Sequence, residues 1–159
     1  MADEPQIRAI ATNRKARHNY HIEETYEAGI ALVGSEVKTL RGGKASLVDA
    51  YAFVRGSEVF LLGVHIPPYP QASIQNHDPT RMRKLLLHKE EIRRLIGKMN
   101  QKGLTLVPLR MYFKGNKVKV EIALAKGKRD YDKRQSLAER EAKREMAKRA
   151  GSRRRGERR

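Results

Sequence analysis

The chain has 159 residues and a formal net charge of +17, from 35 Lys+Arg against 18 Asp+Glu. It has no cysteine, which excludes disulfides and thiolate metal sites, and no apolar run near the roughly 20 residues of a membrane span. So basic a chain suits a polyanion, with nucleic acid first and an anionic membrane second, and its polar, acidic start lacks a signal peptide's apolar region, so a cytoplasmic protein is expected.

Residues 1–6 read as a flexible N-terminus. Ile7–Thr12 predicts a short strand anchored by Ile10, followed by a polar, basic stretch over Asn13–Arg17. From Tyr20 to Leu32 the pattern alternates. Tyr20, Ile22, Tyr26, Ala28, Ile30 and Leu32 fall on one side, with Glu24 breaking the row. That period predicts one half-buried strand, or two with a bend at Gly29. Gly34–Gly43 predicts a short helix with Ser35 as its cap, Glu36 at its positive end, and Val37 and Leu40 sharing a buried face. Ala50–Val54 and Glu58–Leu62 flank Arg55-Gly56-Ser57, a hairpin pattern with Tyr51, Phe53, Val59 and Leu61 as inward positions. Val64–Ile66 is expected to extend the sheet until Pro67-Pro68 stops it.

Pro67–Lys84 has no clear period, and a long irregular stretch inside a compact domain is often functional. Leu85-Leu86-Leu87 is expected to re-enter the core. Over His88–Lys102, Ile92, Leu95, Ile96 and Met99 make one apolar helical stripe that ends at Gly103. Leu104–Phe113 predicts a strand that tolerates Pro108 only at an edge or bulge. After a tight turn at Lys114–Lys117, Val118, Val120, Ile122 and Leu124 alternate with Lys117, Lys119, Glu121, Ala123 and Ala125. A strand of that kind closes a core and presents cations to phosphate.

The expected fold is mainly β with helices: an antiparallel barrel of about six strands, like the oligonucleotide/oligosaccharide-binding (OB) fold, with two to three helices. The barrel spans 7–126. A basic tail follows over 127–159. Lys126–Arg159 carries 15 Lys+Arg and 6 Asp+Glu, a net of +9, which leaves +8 for the rest. Ser136-Leu137-Ala138-Glu139 fits a capping box ahead of residues rich in helix formers. Arg140, Arg144 and Lys148 recur every four residues and would line one face of a helix over about 136–150. With so thin an apolar stripe, the tail is expected to be disordered when free and helical on a polyanion.

No catalytic constellation stands out, so no enzyme, cofactor or metal is expected. His18 and His21 fall on opposite faces of a strand, and His77-Asp78 before Pro79 reads as a turn. Glu23, Glu24 and Glu27 make no evident carboxylate pair, and neither a Walker A loop nor a nucleophile elbow is present. Binding is better supported. Arg14, Lys15 and Arg17 cluster near His18 and Tyr20. Lys38, Arg41 and Lys44 decorate the short helix, and Arg81, Arg83 and Lys84 the irregular stretch. Lys117, Lys119, Lys126, Lys128 and Arg129 lie along and beyond the last strand. Cations contact phosphates, while Tyr and His stack on unpaired bases.

Several stretches together resemble one family. They are Gly34-Ser35-Glu36-Val37-Lys38-Thr39-Leu40-Arg41, the block from Asp78-Pro79 to Leu87-His88, and Ala125-Lys126-Gly127-Lys128-Arg129-Asp130-Tyr131-Asp132-Lys133-Arg134. Ile10–His18 and Tyr26–Gly29 also fit, in the same order over roughly residues 7–140. The resemblance is to small protein B (SmpB), the SsrA-binding proteins of bacteria. It implies an OB-like barrel that binds the tRNA-like domain of transfer-messenger RNA (tmRNA, the SsrA RNA) and delivers it to stalled ribosomes for trans-translation. It implies a tail that senses the decoding centre and the empty messenger channel, becoming helical there on small-subunit rRNA. The expected partners are tmRNA, bound one-to-one by a monomer, and the stalled ribosome, with no membrane. The alternative function is a structural ribosomal or assembly RNA-binding protein.

Residue by residue, the resemblance ties Asn13, Glu27, Lys38, Leu86, Lys119 and Lys126 to tmRNA binding or its supporting surface. Arg14, Lys15, Arg17, Arg41, Arg81, Arg83 and Lys84 join that surface as the cations around it. It ties Gly127, Lys128, Arg129, Tyr131, Asp132, Lys133 and Arg134 to ribosome engagement, joined by Arg140, Arg144 and Lys148 on the tail helix. By its leucine neighbours alone Leu86 reads as core. The alternative for Asn13 is a turn residue, and for Glu27 a partner for a barrel polar group. Two departures stand out: Ser35 where an aromatic is common, and Tyr131 where some members have His, which keeps stacking but not proton-dependent roles.

Overall fold

The computed structural model describes residues 5–71, 76–128 and 138–149. The chain divides into two compact units, Met1–Lys126 and Gly127–Arg159. The first holds β1 (Ile7–Thr12), α1 (Ala16–Asn19), β2 (Tyr20–Ile30), α2 (Gly34–Arg41), β3 (Tyr51–Arg55) and β4 (Glu58–Leu62). It continues with β5 (Arg83–Leu86), α3 (Lys89–Lys102), β6 (Thr105–Lys114) and β7 (Lys117–Gly127), whose last residue crosses the boundary. Among the described residues, no helix is long and apolar enough to cross a membrane.

The strands follow the order β1-β6-β3-β4-β5-β2-β7, and β6 also pairs with β7. Six of the seven therefore close a barrel. β1 adds to the edge of β6 over Arg110–Lys114, beyond the point where Leu106 pairs with Ala52 of β3. Closure leaves few free strand edges, and it lets β6 be buried on both faces. Inside lie Leu106, Met111 and Phe113 with Val120, Ile122 and Leu124. Outside, Val107, Leu109, Ala123 and Ala125 pack beneath Ala16 of α1 and Tyr20. Pro108 sits where the β6–β7 register slips, the bulge that a proline in a paired strand needs.

β2 is one continuous strand. Its alternation ends in buried Tyr26, Ala28 and Ile30, and Glu24, the break in the row, meets Lys98 and Arg94 of α3. α3 lays Leu95 fully into the core, with Ile92, Ile96 and Met99 against it. It starts where Glu91 accepts the His88 N–H, and it stops at Gly103.

Several expectations differ from the structure, among them His18, which lies on α1 and not on a strand. Val64–Ile66 forms no strand; His65 makes a lone bridge with Ser46, although Val64 and Ile66 are buried. The two faces of β3 are reversed: Ala52 is inside, opposite Leu61, while Tyr51 and Phe53 face out. Ser35 does not cap α2. Glu36 accepts the Val33 N–H at 2.9 Å, and Ser35 Oγ bonds His77 Nδ1 at 2.9 Å. Of the three leucines over 85–87 only Leu85 is buried, because the strand period turns Leu86 outward. In the second unit residues 138–149 are helical and exposed.

Candidate nucleic-acid interface

A groove of about 920 Å³ lies on the barrel wall between Glu27, Leu86, His88, Lys117 and Lys119. Leu86 is 51% exposed. It can lie flat there because its neighbour is Gly29: a Cβ at Gly29 would stand 3.3 Å from the Leu86 Cβ. Glu27 points out from β2 and is fixed from β6. Its carboxylate accepts the Tyr112 hydroxyl, and Lys114 Nζ donates to its other oxygen at 3.1 Å. The Tyr112 hydrogen bond, with Lys114 and Lys119, holds Glu27 below the usual carboxylate range. Burial and the Glu27 carboxylate push the Tyr112 phenol up. A fixed anion that holds Lys114 and lies near Lys119 suits contact with a sugar hydroxyl or a base amino group beside a phosphate.

Beyond one side of this groove stands a buried ion network. Glu36 is fully buried and accepts from both Arg81 and Arg83. Arg83 is 0% exposed and donates as well to the carbonyls of Val64, at 2.9 Å, and Pro79, at 3.2 Å. It is therefore not an RNA contact, contrary to the expectation from sequence. The strand period that exposes Lys84 turns Arg83 inward to hold the irregular connection. Burial raises the pKa of Glu36, but the Arg81 guanidinium, the Val33 N–H and Arg83 together hold it below the usual carboxylate range. Arg81 is half-buried and spoken for by Glu36 and the Ala31 carbonyl. Lys84 is exposed and pairs with Glu58 at 3.2 Å. Lys38 is exposed on α2 with its ammonium 5.6 Å from the centre of the Tyr69 ring. The exposed Arg41 ends α2, and its carbonyl accepts from Arg8 at 2.9 Å.

Asn13 belongs to another groove, with Arg14, Lys15, Tyr20 and Tyr51. Its backbone N–H donates to the Leu109 carbonyl at 2.7 Å and its amide to Pro108 at 3.0 Å, tying the end of β1 to the β6 bulge. Arg17 is exposed on α1, and Lys126 is exposed near the end of β7. Gly127 lies within β7, with open space where a Cβ would be, and its φ is outside the left-handed region. Lys128 is half-exposed. Arg140, Arg144 and Lys148 are exposed on the helix over 138–149 at the spacing of one face. Arg129, Tyr131, Asp132, Lys133 and Arg134 lie outside the described residues.

Sequence reasoning missed Gly29, Tyr112, Lys114 and the outward ring of Tyr51. For Gly29 the signal was available: a glycine inside a strand marks a close approach. For Tyr112, 85 residues from Glu27, no local pattern carried it.

The SmpB protein family model matches residues 10–152. An SsrA-binding protein of Acidothermus cellulolyticus is 61% identical over 158 residues, covering 99% of each chain. One of Symbiobacterium thermophilum is 64% identical over 143 residues, covering 89% of this chain and 90% of its own. A solved chain described as "tmRNA-SmpB: a journey to the center of the bacterial ribosome" superposes with a TM-score of 0.63 at 52% identity, covering 79% of this chain and 92% of that one.

Proposed function

The chain belongs to the SmpB protein family, and on that premise we propose how it serves trans-translation: the barrel binds the SsrA RNA (tmRNA), and the tail engages the ribosome. The observation that carries the first half is the Glu27–Leu86–Lys119 groove, where an exposed leucine, a pinned carboxylate and several lysines share one wall. Residues brought from β2, β5 and β7 converge there, and a cationic, partly apolar surface of that kind suits folded RNA better than a small substrate. Asn13, Arg14, Lys15, Arg17, Lys38, Arg41, Lys84 and Lys126 supply further phosphate contacts, and Arg81 and Arg83 act from within by holding the loop. No reacting group is assigned to the chain, which works in the cytoplasm as a binding adaptor.

The second half rests on the division into two units and on the cationic face of the helix over 138–149. A helix with little apolar surface and cations every four residues is stabilised on rRNA, so an occupied messenger path would compete with it. Sequencing the RNA that co-purifies with the protein tests the reading. One dominant tmRNA is expected; stoichiometric rRNA regardless of stalling would replace it with a structural ribosomal role.

A further inference from the structure

The outer face of β3 and β4 carries rings that the groove around Glu27 does not use. Phe53 and Phe60 are register partners, with centroids 5.7 Å apart and planes 30° apart. Tyr51 follows at 6.4 Å from Phe53 and is 50% exposed. On the other side the register partner of Phe60 is Lys84, two residues before Leu86 on the same face of β5. The row thus runs from the groove of Asn13, Arg14 and Lys15, where Tyr51 stands with exposed Val48, to the edge of the Glu27–Leu86 groove. Val48, Tyr51 and Leu86, three of the large apolar side chains most exposed among the described residues, lie along it. Exposed apolar groups gathered in one band mark an interaction surface.

The charge of the band selects its occupant. Arg14, Lys15, Arg55 and Lys84 border it against Asp49 and Glu58, and Glu58 is already paired directly with Lys84 at 3.2 Å. A row of ring faces between cations offers bases a stacking surface and phosphates a counter-charge. We propose that Tyr51, Phe53 and Phe60 form a stacking platform for unpaired nucleotides of the SsrA RNA, joining the Asn13 groove to the Glu27–Leu86 groove in one continuous contact. The proposal rests on the SsrA RNA reading above. The platform takes bases by their faces, so it is tolerant of sequence and selective for unpaired strands over duplex.

The test measures binding of the full chain to SsrA RNA, and to a single-stranded oligouridylate and a duplex RNA of equal length, at fixed salt. Tyr51→Leu and Phe60→Leu remove a ring and keep apolar bulk; Tyr51→Phe keeps the ring. Each leucine variant is expected to weaken SsrA RNA and oligouridylate binding by about tenfold, with duplex binding and the salt slope unchanged. Tyr51→Phe is expected to bind as the parent does, which separates stacking from a folding defect. Unchanged SsrA RNA binding by both leucine variants overturns the platform, as does equal weakening on duplex. Should the parent chain fail to prefer SsrA RNA while both leucine variants still lose oligouridylate, the failure is that of the SsrA RNA reading, and the proposed occupant falls with it.

Discussion

Glu36 shows what one residue decides. Its buried carboxylate neutralises Arg83, whose other donors hold the Val64 and Pro79 carbonyls. Glu36→Gln leaves a buried guanidinium without its counter-charge and is expected to cost about 3–5 kcal/mol, read as a lower urea midpoint. Glu36 is held below its ordinary value of 4.5 in the folded chain, so its contribution is present above that value and is lost as pH falls through the lower folded one. The parent should therefore lose urea stability on acidification below about 4.5 more steeply than the variant does. Leu86 behaves oppositely. Because it is exposed, Leu86→Ala is expected to change stability by about 0.5 kcal/mol or less while SsrA RNA affinity falls, a split visible by pairing thermal melts with filter binding. Gly29→Ala tests the same geometry, since the added Cβ pushes the Leu86 side chain off the wall. RNA affinity should fall without loss of fold. Leu86 and Arg83 were both misplaced from sequence for the same reason. Three successive leucines mask the period of two, and an arginine beside another cation reads as surface until the strand's phase is known.

At the scale of elements, the sequence carried most boundaries and fewer orientations. β1, β4 and the start of β7 fall where the pattern put them, and α3 is one residue shorter at its start. β3 was legible as a strand and not as a face, because Tyr51, Ala52, Phe53 and Val54 are apolar on both rows. What fixed it is the register and close packing: Ala52 pairs with Leu61 inside the core, where a densely packed interior favours the small side chain over a ring. α1, only four residues long, left no periodic trace. α3 is docked by its apolar stripe far more than by its ion pairs with β2. Leu95→Ala is accordingly expected to cost about 2–5 kcal/mol. Breaking the partly exposed Glu24 pairs by Glu24→Gln should cost about 1 kcal/mol or less, both read from denaturant midpoints.

At the scale of the whole molecule, the two units predict two separable activities. A chain ending at Lys126 should melt at the parent's temperature and keep SsrA RNA binding, while failing to support tagging on stalled ribosomes. Loss of RNA binding by that chain would reject the division. Replacing Arg140, Arg144 and Lys148 by Gln should lower the salt slope of ribosome binding by about 0.7–0.9 per lost phosphate contact and leave binding of SsrA RNA to the barrel unchanged. By itself the sequence determined most of the strands, the long helix α3, a polyanionic partner class, the place where apolar periodicity gives way to a cationic tail, and the family, because each is written in neighbouring residues. Only the tertiary structure decided which cations are available. It closed the ring through β2 and β7, tied Asn13 to Pro108 across 95 positions, pinned Glu27 with Tyr112, and sank Arg83 while raising Leu86 and Tyr51 to the surface. Those outcomes depend on which strands meet and on the volume left between them, and a repeat of two or 3.6 residues carries neither.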